Sequence, residues 1–521
     1  MAETKPTTHK PPPRTVRWWP GIWLVSLTVL ALIWVRVQAH RPFQERNILT
    51  AEIVLVSMIL LLVWWTFFSR APNRIRLGIT GAIVGLLVLG ALLFRVRGLS
   101  GDLVPILEFR WANRGAFGAQ ATATNAPAIS VRDRTNDFPQ FLGPDRNGVL
   151  AGPRLETNWL SYPPAVLWRQ KVGAAWSGFV IVGEICLTQE QRGEEECVVA
   201  YELKSGQQLW LHSDKALYKT VVAGEGPRAT PTVVSNRVFT FGATCLLNCL
   251  DLSTGSLIWT RNLLADGGKV PDWGGAGSPL VVDGQVIVHG GDNAPHSLYA
   301  FRAEDGQPVW TGGTANPSYT SPSLATLAGV RQVLAFNHRS VSGHDLLTGA
   351  TLWEKPWGSG NAVCALPVVV GDNQVLFSSG YGFGAELLEI SSKTNSKLAV
   401  KLLWKSIRMK AKFSHLFARN GFLYGLDDGI FACVDLKDGS QRWKEGRYGH
   451  GQGLFVGDLY LLMAESGELV LLRPTPDSPN ELTRYKVFNA KTWNPMALSG
   501  DLLLVRNDLE VACLRLPLLK E

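Results

Sequence analysis

Apolar and polar positions divide the chain into two regions with different periods. The N-terminal region contains three almost uninterrupted apolar stretches, Trp18–Val35, Ile48–Phe68 and Leu77–Phe94. Each is close to the ~20 residues that an α-helix needs to cross a bilayer. From residue 165 onwards, short apolar segments alternate with turns that contain Gly and Asp, a pattern typical of β-strands.

The apolar stretches predict three transmembrane helices between residues 18 and 97. Helices buried in a soluble core are the alternative, whereas a cleavable signal peptide would not produce three such runs. Seven Lys and Arg residues flank one side of the predicted spans and five flank the other. The positive-inside rule then places the tail, residues 1–17, in the cytoplasm. This predicts a multi-pass protein of the inner (cytoplasmic) membrane with its C-terminal part in the periplasm.

The charge distribution agrees with this division. The formal net charge is +8, but residues 1–114 hold 14 Lys and Arg against 5 Asp and Glu, and the remainder holds 37 against 38. The nearly neutral C-terminal part offers no basic stripe for a phosphate backbone, so nucleic acid is not a predicted partner. Residues 98–136 are predicted to be a linker, of which residues 112–136, rich in Ala, Thr, Asn and Gly, are predicted to be a flexible tether.

A repeated motif organises residues 165–521. Each copy begins with a small residue, which in most copies is followed two positions later by an acid. A Gly comes next, and a Trp lies four residues after that Gly. One copy reads Cys249-Leu-Asp251, Gly255, Trp259. Marker aromatics recur every 39 to 51 residues. The markers are Trp168, Trp210, Trp259, Trp310, Trp353, Trp404 and Trp443, with Tyr485 in the eighth place.

A period of this length with short strands predicts a β-propeller. One four-stranded sheet cannot bury both of its faces, so the blades stack around an axis and a large aromatic residue wedges between neighbours. Pairing of Val166–Val172 with Val511–Leu516 would close the ring and remove its open edge. The predicted fold class is therefore all-β, an eight-bladed β-propeller over residues 165–521 with an N-terminal three-helix transmembrane anchor. Residues 137–164 form a leader before the propeller.

Unusual residues collect on one predicted face. The segment that joins two blades shares this face with the turn between the second and third strands of a blade. Aromatic, basic and acidic side chains together suit a ligand or peptide site, although the loops of any propeller must carry polar residues. The predicted binding residues are Trp176, Arg228, Trp273, Lys412, His415, Asp427, Asp428, His450, Trp493 and Asn494.

Two sets of residues have a structural interpretation and a chemical one. Asp427 and Asp428 precede Gly429, which favours a turn over a cation site, and no metal site is predicted. The seven cysteines leave at least one unpaired. Cys186 and Cys197 flank one predicted hairpin and would form a disulfide only in an oxidising compartment.

The repeated motif resembles that of the pyrroloquinoline-quinone (PQQ)-like propellers over residues 137–521. The leader, Asp137-Phe-Pro-Gln-Phe-Leu-Gly-Pro-Asp-Arg-Asn-Gly148, is similar to one found before the propeller in membrane-tethered bacterial members. One branch of the family consists of quinoprotein dehydrogenases that hold PQQ and Ca²⁺ in the funnel. Another is non-catalytic, like the propeller lipoprotein of the outer-membrane barrel-assembly machinery, which binds protein partners.

The first hypothesis is a binding module that engages a protein or small ligand through the funnel face. Trp176, Trp273 and Trp493 would supply shape and stacking, and Arg228 and Lys412 would orient an acidic group. The chain contains neither the adjacent-cysteine pair of the quinoprotein alcohol dehydrogenases nor a haem-attachment motif, and no catalytic residue is assigned under this hypothesis.

The alternative is a PQQ-dependent dehydrogenase that oxidises an alcohol or sugar and passes electrons to membrane quinone. The resemblance then implies that Arg228 holds a quinone carboxylate and that Trp273 or Trp493 stacks on the quinone ring. Asp427 or Asp428 would act as the general base.

Overall fold

The computed structural model describes residues 16–38, 41–112, 136–358, 362–392 and 397–519. The chain forms two compact units, residues 1–112 and 113–521. Most of the predicted cytoplasmic tail and residues 113–135 of the predicted linker lie outside the described residues.

Three helices make up most of the N-terminal unit. They span Trp19–Val37, Phe43–Val63 and Asn73–Leu93, and the second continues as a π-helical turn, Trp64–Phe68. Most of their large apolar side chains are exposed, which is the reverse of a helix buried in a soluble core. All three are long and apolar enough to cross a membrane, as the apolar stretches predict.

A β-hairpin follows the third helix, where the sequence predicts the end of a span and the start of a linker. Its strands are Phe94–Leu99 and Pro105–Phe109. The Phe94 and Phe109 rings lie 4.5 Å apart, and Arg95 pairs with Glu108 at 2.7 Å. Residues 98–109 of the predicted linker therefore form part of this hairpin, because alternating apolar and charged residues make cross-strand pairs there.

Eight sheets form the C-terminal propeller, as predicted. In blades 1 to 7 the chain runs from the inner strand, next to the axis, to the outer strand. From inner to outer, the strands are, in blade 1, Val180–Val182, Ile185–Arg192, Glu195–Glu202 and Gln208–Lys215; in blade 2, Thr232–Val234, Arg237–Phe241, Leu246–Asp251 and Leu257–Asn262; in blade 3, Leu280–Val282, Gln285–His289, Leu298–Arg302 and Pro308–Gly312; in blade 4, Ser323–Leu327, Val330–Phe336, Ser340–Asp345 and Thr351–Pro356; in blade 5, Val368–Val370, Gln374–Ser379, Gly384–Ser392 and Leu398–Ser406; in blade 6, Leu416–Arg419, Phe422–Asp427, Ile430–Asp435 and Gln441–Arg447; and in blade 7, Gln452–Val456, Leu459–Met463, Glu468–Leu472 and Glu481–Lys486.

Blade 8 closes the ring. Its three inner strands, Ala497–Ser499, Leu502–Arg506 and Glu510–Arg515, come from the end of the chain, and its outer strand, Ala165–Lys171, precedes blade 1. The pairing is antiparallel and places Trp168 opposite Cys513. The predicted closure is therefore confirmed.

The repeated Gly and Trp meet between blades rather than within one. The marker indole of one blade lies over the motif glycine of the next, so that a Cβ built on Gly306 would come within 2.7 Å of the Trp259 ring. The Trp259 Nε1–H also donates to the Ala303 carbonyl oxygen at 3.1 Å. The same contact with the glycine joins Trp168 to Gly206, Trp210 to Gly255, Trp310 to Gly349 and Trp404 to Gly439.

A glycine comparison tests this interblade contact. Gly306 and Gly329 have similar φ values, +71° and +75°, but nothing lies within 4 Å of a Cβ built on Gly329. We expect Gly329→Ala to cost about 1 kcal/mol of unfolding free energy, for the left-handed backbone alone. Gly306→Ala should cost roughly 1–3 kcal/mol more, because the methyl group overlaps the indole. Thermal unfolding of both variants measures the difference, and equal losses would contradict the contact.

The leader fills part of the central channel. Phe138 bridges to Ile181 of the inner strand of blade 1. After a turn, the short strand Val149–Leu150 pairs in parallel with the inner strand of blade 7. The Arg146 side chain at this turn reaches carbonyl groups at the start of the inner strands of blades 3 and 4. The leader is therefore a structural part of the propeller.

The cysteines are all free, and six of the seven are buried. Cys186 lies opposite Tyr201, and Cys197 lies opposite Glu190, on two neighbouring strands. Four register positions, or roughly 13 Å, separate the two cysteines along the strands. A disulfide between them would need Cα atoms within about 7 Å, so this alternative is excluded.

Candidate binding face

The segments between blades share one face of the propeller with the turns between second and third strands, as predicted. Backbone bridges join the two kinds of loop within a blade: Ala174 to Gln191, Lys269 to Asp292 and Pro317 to Asn337. We call this side the funnel face.

Eight equivalent positions surround the axis on the funnel face. Each lies four residues before the first residue of the inner strand of its blade. The exception is blade 7, where the count starts at Leu454, the third residue of that strand. They are occupied by Trp176, Arg228, Ala276, Tyr319, Cys364, Lys412, His450 and Trp493. Five of the ten predicted binding residues therefore occupy one ring of equivalent positions.

Five aromatic side chains from this face form a continuous row. Ring centroids are 5.2 Å apart between Trp176 and Trp493, 4.8 Å between Trp493 and Phe413, 5.8 Å between Phe413 and Trp273, and 5.0 Å between Trp273 and Tyr319. These separations are those of interacting aromatic pairs. All five side chains are half-buried, so the aromatic row retains a surface that a partner can contact.

Two lysines lie against the aromatic row. The Lys491 Nζ is 3.8 Å from the ring centroid of Trp493 and 4.5 Å from that of Trp176. The buried Lys412 Nζ lies 5.3 Å from the Phe413 ring. Both distances suit cation–π attraction, which gives the row a positive charge at each of two places.

Polar atoms complete the surroundings of Phe413. The His450 ring is 5.6 Å from the Phe413 ring, and the His450 backbone N–H donates to Glu465 Oε2 at 2.9 Å. The buried Trp493 Nε1–H has no acceptor in the described part of the chain. This indole is thus a donor with no acceptor of its own beside the row.

Arg228 is bound within its own loop. Its two terminal nitrogens donate to carbonyl oxygens of Gly226, Ala223 and Gly224. Burial lowers the pKa of Arg228 to about 10. These bonds hold a small hairpin with strands 219–220 and 224–225, so the structure shows Arg228 as a residue that positions this loop.

Asn494 joins blade 8 to blade 1. Its buried amide Nδ2 donates to the carbonyl oxygens of Ala175 at 3.0 Å and Ser177 at 2.8 Å. The contact stabilises the segment that precedes blade 1 and carries Trp176. In this structure Asn494 therefore stabilises the backbone on either side of Trp176.

Asp427 and Asp428 lie at the turn between the second and third strands of blade 6, as the turn interpretation predicts. Asp428 has φ +55°. The fully buried Asp427 carboxylate pairs with Lys410 Nζ at 2.7 Å and with Lys444 Nζ at 3.0 Å. Burial raises the pKa of Asp427, but the two lysines outweigh it and lower that pKa overall. Asp427 is therefore one member of a buried ion triad.

His415 lies in the central channel rather than in the aromatic row. Its Nδ1 accepts the Leu366 backbone N–H at 3.2 Å, and its ring is 5.0 Å from Phe141 of the leader. Burial lowers the pKa of His415 to about 4. Although His415 stands only three residues after Lys412, it directly precedes the inner strand of blade 6 and contacts Phe141 of the leader.

Sequence reasoning missed Phe413 and Lys491. Phe413 is the central ring of the row, since it contacts both Trp493 and Trp273. A signal was present, because both missed residues lie in the segments between blades, beside the predicted Lys412 and Trp493.

Among the described residues, no group of three or more His, Cys, Asp or Glu side chains could hold a metal ion. Neighbouring rings of the aromatic row already contact one another, and Asp427 is held by two lysines.

Comparison with known proteins places the fold. Residues 194–445 match the family described as outer membrane protein assembly factor BamB. BamB from Moranella endobia is 24% identical over 57% of this chain and 74% of its own length, and BamB from Yersinia pestis is 32% identical over 32% of this chain and 42% of its own. The structure of quinohemoprotein alcohol dehydrogenase from Comamonas testosteroni shares the fold, with a TM-score of 0.53 and 12% identity over 74% of this chain and 82% of that chain.

The repeated Gly–Trp contact, the eight blades and these matches agree with the resemblance seen in the motif. The C-terminal domain of this chain is therefore similar to the PQQ-like β-propellers in sequence and in fold.

Proposed function

We propose that this protein is a membrane-anchored binding module whose funnel face engages a protein partner through the aromatic row. The observation that carries the proposal is the row itself, five half-buried rings from five different segments between blades. Rigid aromatic side chains at the centre of a surface contribute most of the binding energy in many protein interfaces. The relatives are named as assembly factors, a name that agrees with a role in binding proteins.

The charge of the row suggests the chemistry of the partner. Lys491 and Lys412 hold two ammonium groups against aromatic faces. A segment with large apolar side chains beside a carboxylate would match this combination. The partner in this proposal is therefore an apolar and acidic stretch of another protein.

We further propose that the anchor lies in the inner membrane with the propeller in the periplasm. Three helices suited to span a membrane support the anchor, and the Lys and Arg bias of the flanking segments supports the orientation. Single cysteines introduced into the tail or into the propeller would be labelled in intact and in permeabilised cells to test this orientation.

Replacing Trp273 with alanine is expected to weaken partner binding by at least about 30-fold, as for an aromatic hot spot of 2 kcal/mol or more. The measurement is photo-crosslinking of the full chain in its own membranes from a photoreactive residue at Asp272, which is exposed next to Trp273. A specific adduct should form and should be lost in the Trp273→Ala variant.

A photoreactive residue at the exposed Asp438, in a turn on the opposite face, serves as the control. An adduct that forms from Asp438 but not from Asp272 would refute the proposed face. Titration with PQQ and Ca²⁺ tests the dehydrogenase alternative, since stoichiometric uptake with alcohol- or sugar-dependent dye reduction would overturn the binding-module proposal.

A further inference from the structure

A cavity of about 550 Å³ lies in the central channel, between the leader and the inner strands of blades 3 to 6. The leader occupies the opposite side of the channel, along blades 1 and 7. The volume falls within the range of small-molecule sites in proteins. Nothing in the proposed function uses this space.

Part of the cavity wall is apolar. Inner strands contribute Leu280, Leu324, Val368 and Leu416, and the leader contributes Leu142. Leu324 is 37% exposed although it lies on an inner strand. An apolar molecule in the cavity would therefore remove this surface from water, which favours binding.

Arg146 brings an unneutralised charge to the same cavity. Its terminal nitrogens donate to Gln140 Oε1 at 3.3 Å and to three carbonyl oxygens, those of Pro279 at 3.0 Å, Ser278 at 3.1 Å and Pro322 at 3.2 Å. All four acceptors are neutral. Arg146 is nine-tenths buried, and its Nε–H has no acceptor among the described residues.

Isolation of this charge is costly. Burial alone lowers the pKa of Arg146, to about 10, and no carboxylate of the described residues pairs with it. A buried cation without a counter-charge destabilises a fold. An anion bound beside the guanidinium would offset that cost, so binding free energy is available to a ligand of the right charge.

His415 supplies a second donor. Because its Nδ1 accepts the Leu366 N–H, the neutral ring carries its hydrogen on Nε2. The described residues provide no acceptor for this hydrogen, and His415 lines the cavity. The cavity wall thus carries Arg146 and His415 among apolar side chains and among polar ones that include Gln140, Asp145 and Ser323.

We propose that the channel cavity binds a small monocarboxylate with an apolar body. The carboxylate accepts hydrogen bonds from Arg146 and His415, and the body packs on the inner strands of blades 3 to 6. This site is separate from the aromatic row and does not depend on the proposed function.

The test uses octanoate as the probe and 1-octanol as its uncharged counterpart. Each is titrated into the full chain in lipid nanodiscs by calorimetry, with the heat of empty nanodiscs subtracted. We expect octanoate to bind one site at least about tenfold more tightly than octanol, as charge-assisted hydrogen bonds require. Equal affinities, or no binding of octanoate at millimolar concentration, would overturn the proposal.

Two variants locate the site. Arg146→Met should weaken octanoate binding by about tenfold or more and leave octanol unaffected. Because Arg146 also holds the leader, Thr326→Phe provides an independent variant: Thr326 is exposed and lines the cavity, so the added ring takes up part of the space and should weaken binding. Thr260→Phe, on the outer strand of blade 2 and also exposed, should leave the affinity unchanged. Full octanoate affinity in Thr326→Phe would place the ligand elsewhere and refute the inference.

Discussion

Replacement of Glu190 by glutamine is expected to lower the free energy of unfolding of the propeller by about 3–5 kcal/mol, the usual cost of removing one partner from a buried ion pair. The fully buried Glu190 carboxylate accepts hydrogen bonds from Arg192 Nε at 3.1 Å, from the Tyr201 hydroxyl at 2.5 Å and from the Gly173 backbone N–H at 2.8 Å. Glutamine keeps the shape but removes the charge, so Arg192 loses its counter-charge.

Glu190 also acts across the junction where the ring closes. Arg506 of blade 8 is fully buried. It donates to Thr188 Oγ1 at 2.8 Å and to the Gly173 carbonyl oxygen at 2.8 Å. Thr188 lies two residues before Glu190, and the Gly173 N–H donates to Glu190. The Glu190 charge favours the protonated form of Arg506, whose pKa burial lowers. Loss of that charge therefore weakens the contact between the last blade and the first.

Calorimetry of the full chain in detergent measures this effect. Glu184→Gln is the matched control, because Glu184 lies in the same blade and forms an exposed pair with Lys204 at 3.4 Å. An exposed pair contributes at most about 1 kcal/mol. A Glu190→Gln variant that unfolds at the temperature of the Glu184→Gln variant would show that the buried network does not stabilise the junction.

Asp427→Asn is expected to destabilise the propeller at neutral pH by a comparable amount, about 3–5 kcal/mol. The substitution leaves Lys410 and Lys444 without the carboxylate that pairs with both. Burial lowers the pKa of Lys444, and the Asp427 charge is the strongest influence that opposes this. If Asp427 were instead a general base, the change would abolish activity and leave the unfolding temperature almost unaltered.

The pH dependence has a defined sign. Because the folded protein lowers the pKa of Asp427, the ion triad contributes its full stability above the unfolded value of about 3.9. That contribution is lost as the pH falls through the lower folded value. The difference in unfolding temperature between the wild type and Asp427→Asn should therefore shrink below about pH 4.

Asp428→Asn supplies the control for this position. Asp428 has φ +55°, a conformation that asparagine tolerates as well as aspartate does. We expect a smaller change in stability than for Asp427→Asn at neutral pH. Equal losses in the two variants would indicate that the turn, rather than the ion triad, accounts for the effect.

The sequence predicts the blades well because one short-range spacing reports a long-range contact. The four-residue interval between the motif Gly and Trp is local, but Gly306 meets Trp259 of the preceding blade. Each repeat therefore supplies its glycine to the interface with the preceding blade and its tryptophan to the interface with the following blade. Trp353 of blade 4 is an exception, because the next blade, blade 5, lacks the motif glycine. Its Nε1–H donates instead to Gln332 Oε1 of its own blade at 2.5 Å.

The candidate site is only partly predictable. Trp176, Trp273 and Trp493 follow from the face assignment, since the topology fixes which segments lie on the funnel face. Their contacts through Phe413 cross the axis, and no sequence interval encodes contacts between blades on opposite sides. His415 shows the limit most clearly, because its neighbour Phe141 belongs to the leader, whose place in the channel no repeat predicts.

Ring closure has a consequence for biosynthesis. Arg169 and Glu510, whose side chains contact each other in blade 8 at 3.5 Å, are 341 positions apart. Since chains fold as they emerge from the ribosome, the strand Ala165–Lys171 waits with its edge unpaired until almost the whole nascent propeller has been made. During that interval the growing domain presents two open edges, a known template for aggregation. Chaperones that shield nascent β-structure are therefore expected to act on this protein until blade 8 closes the ring.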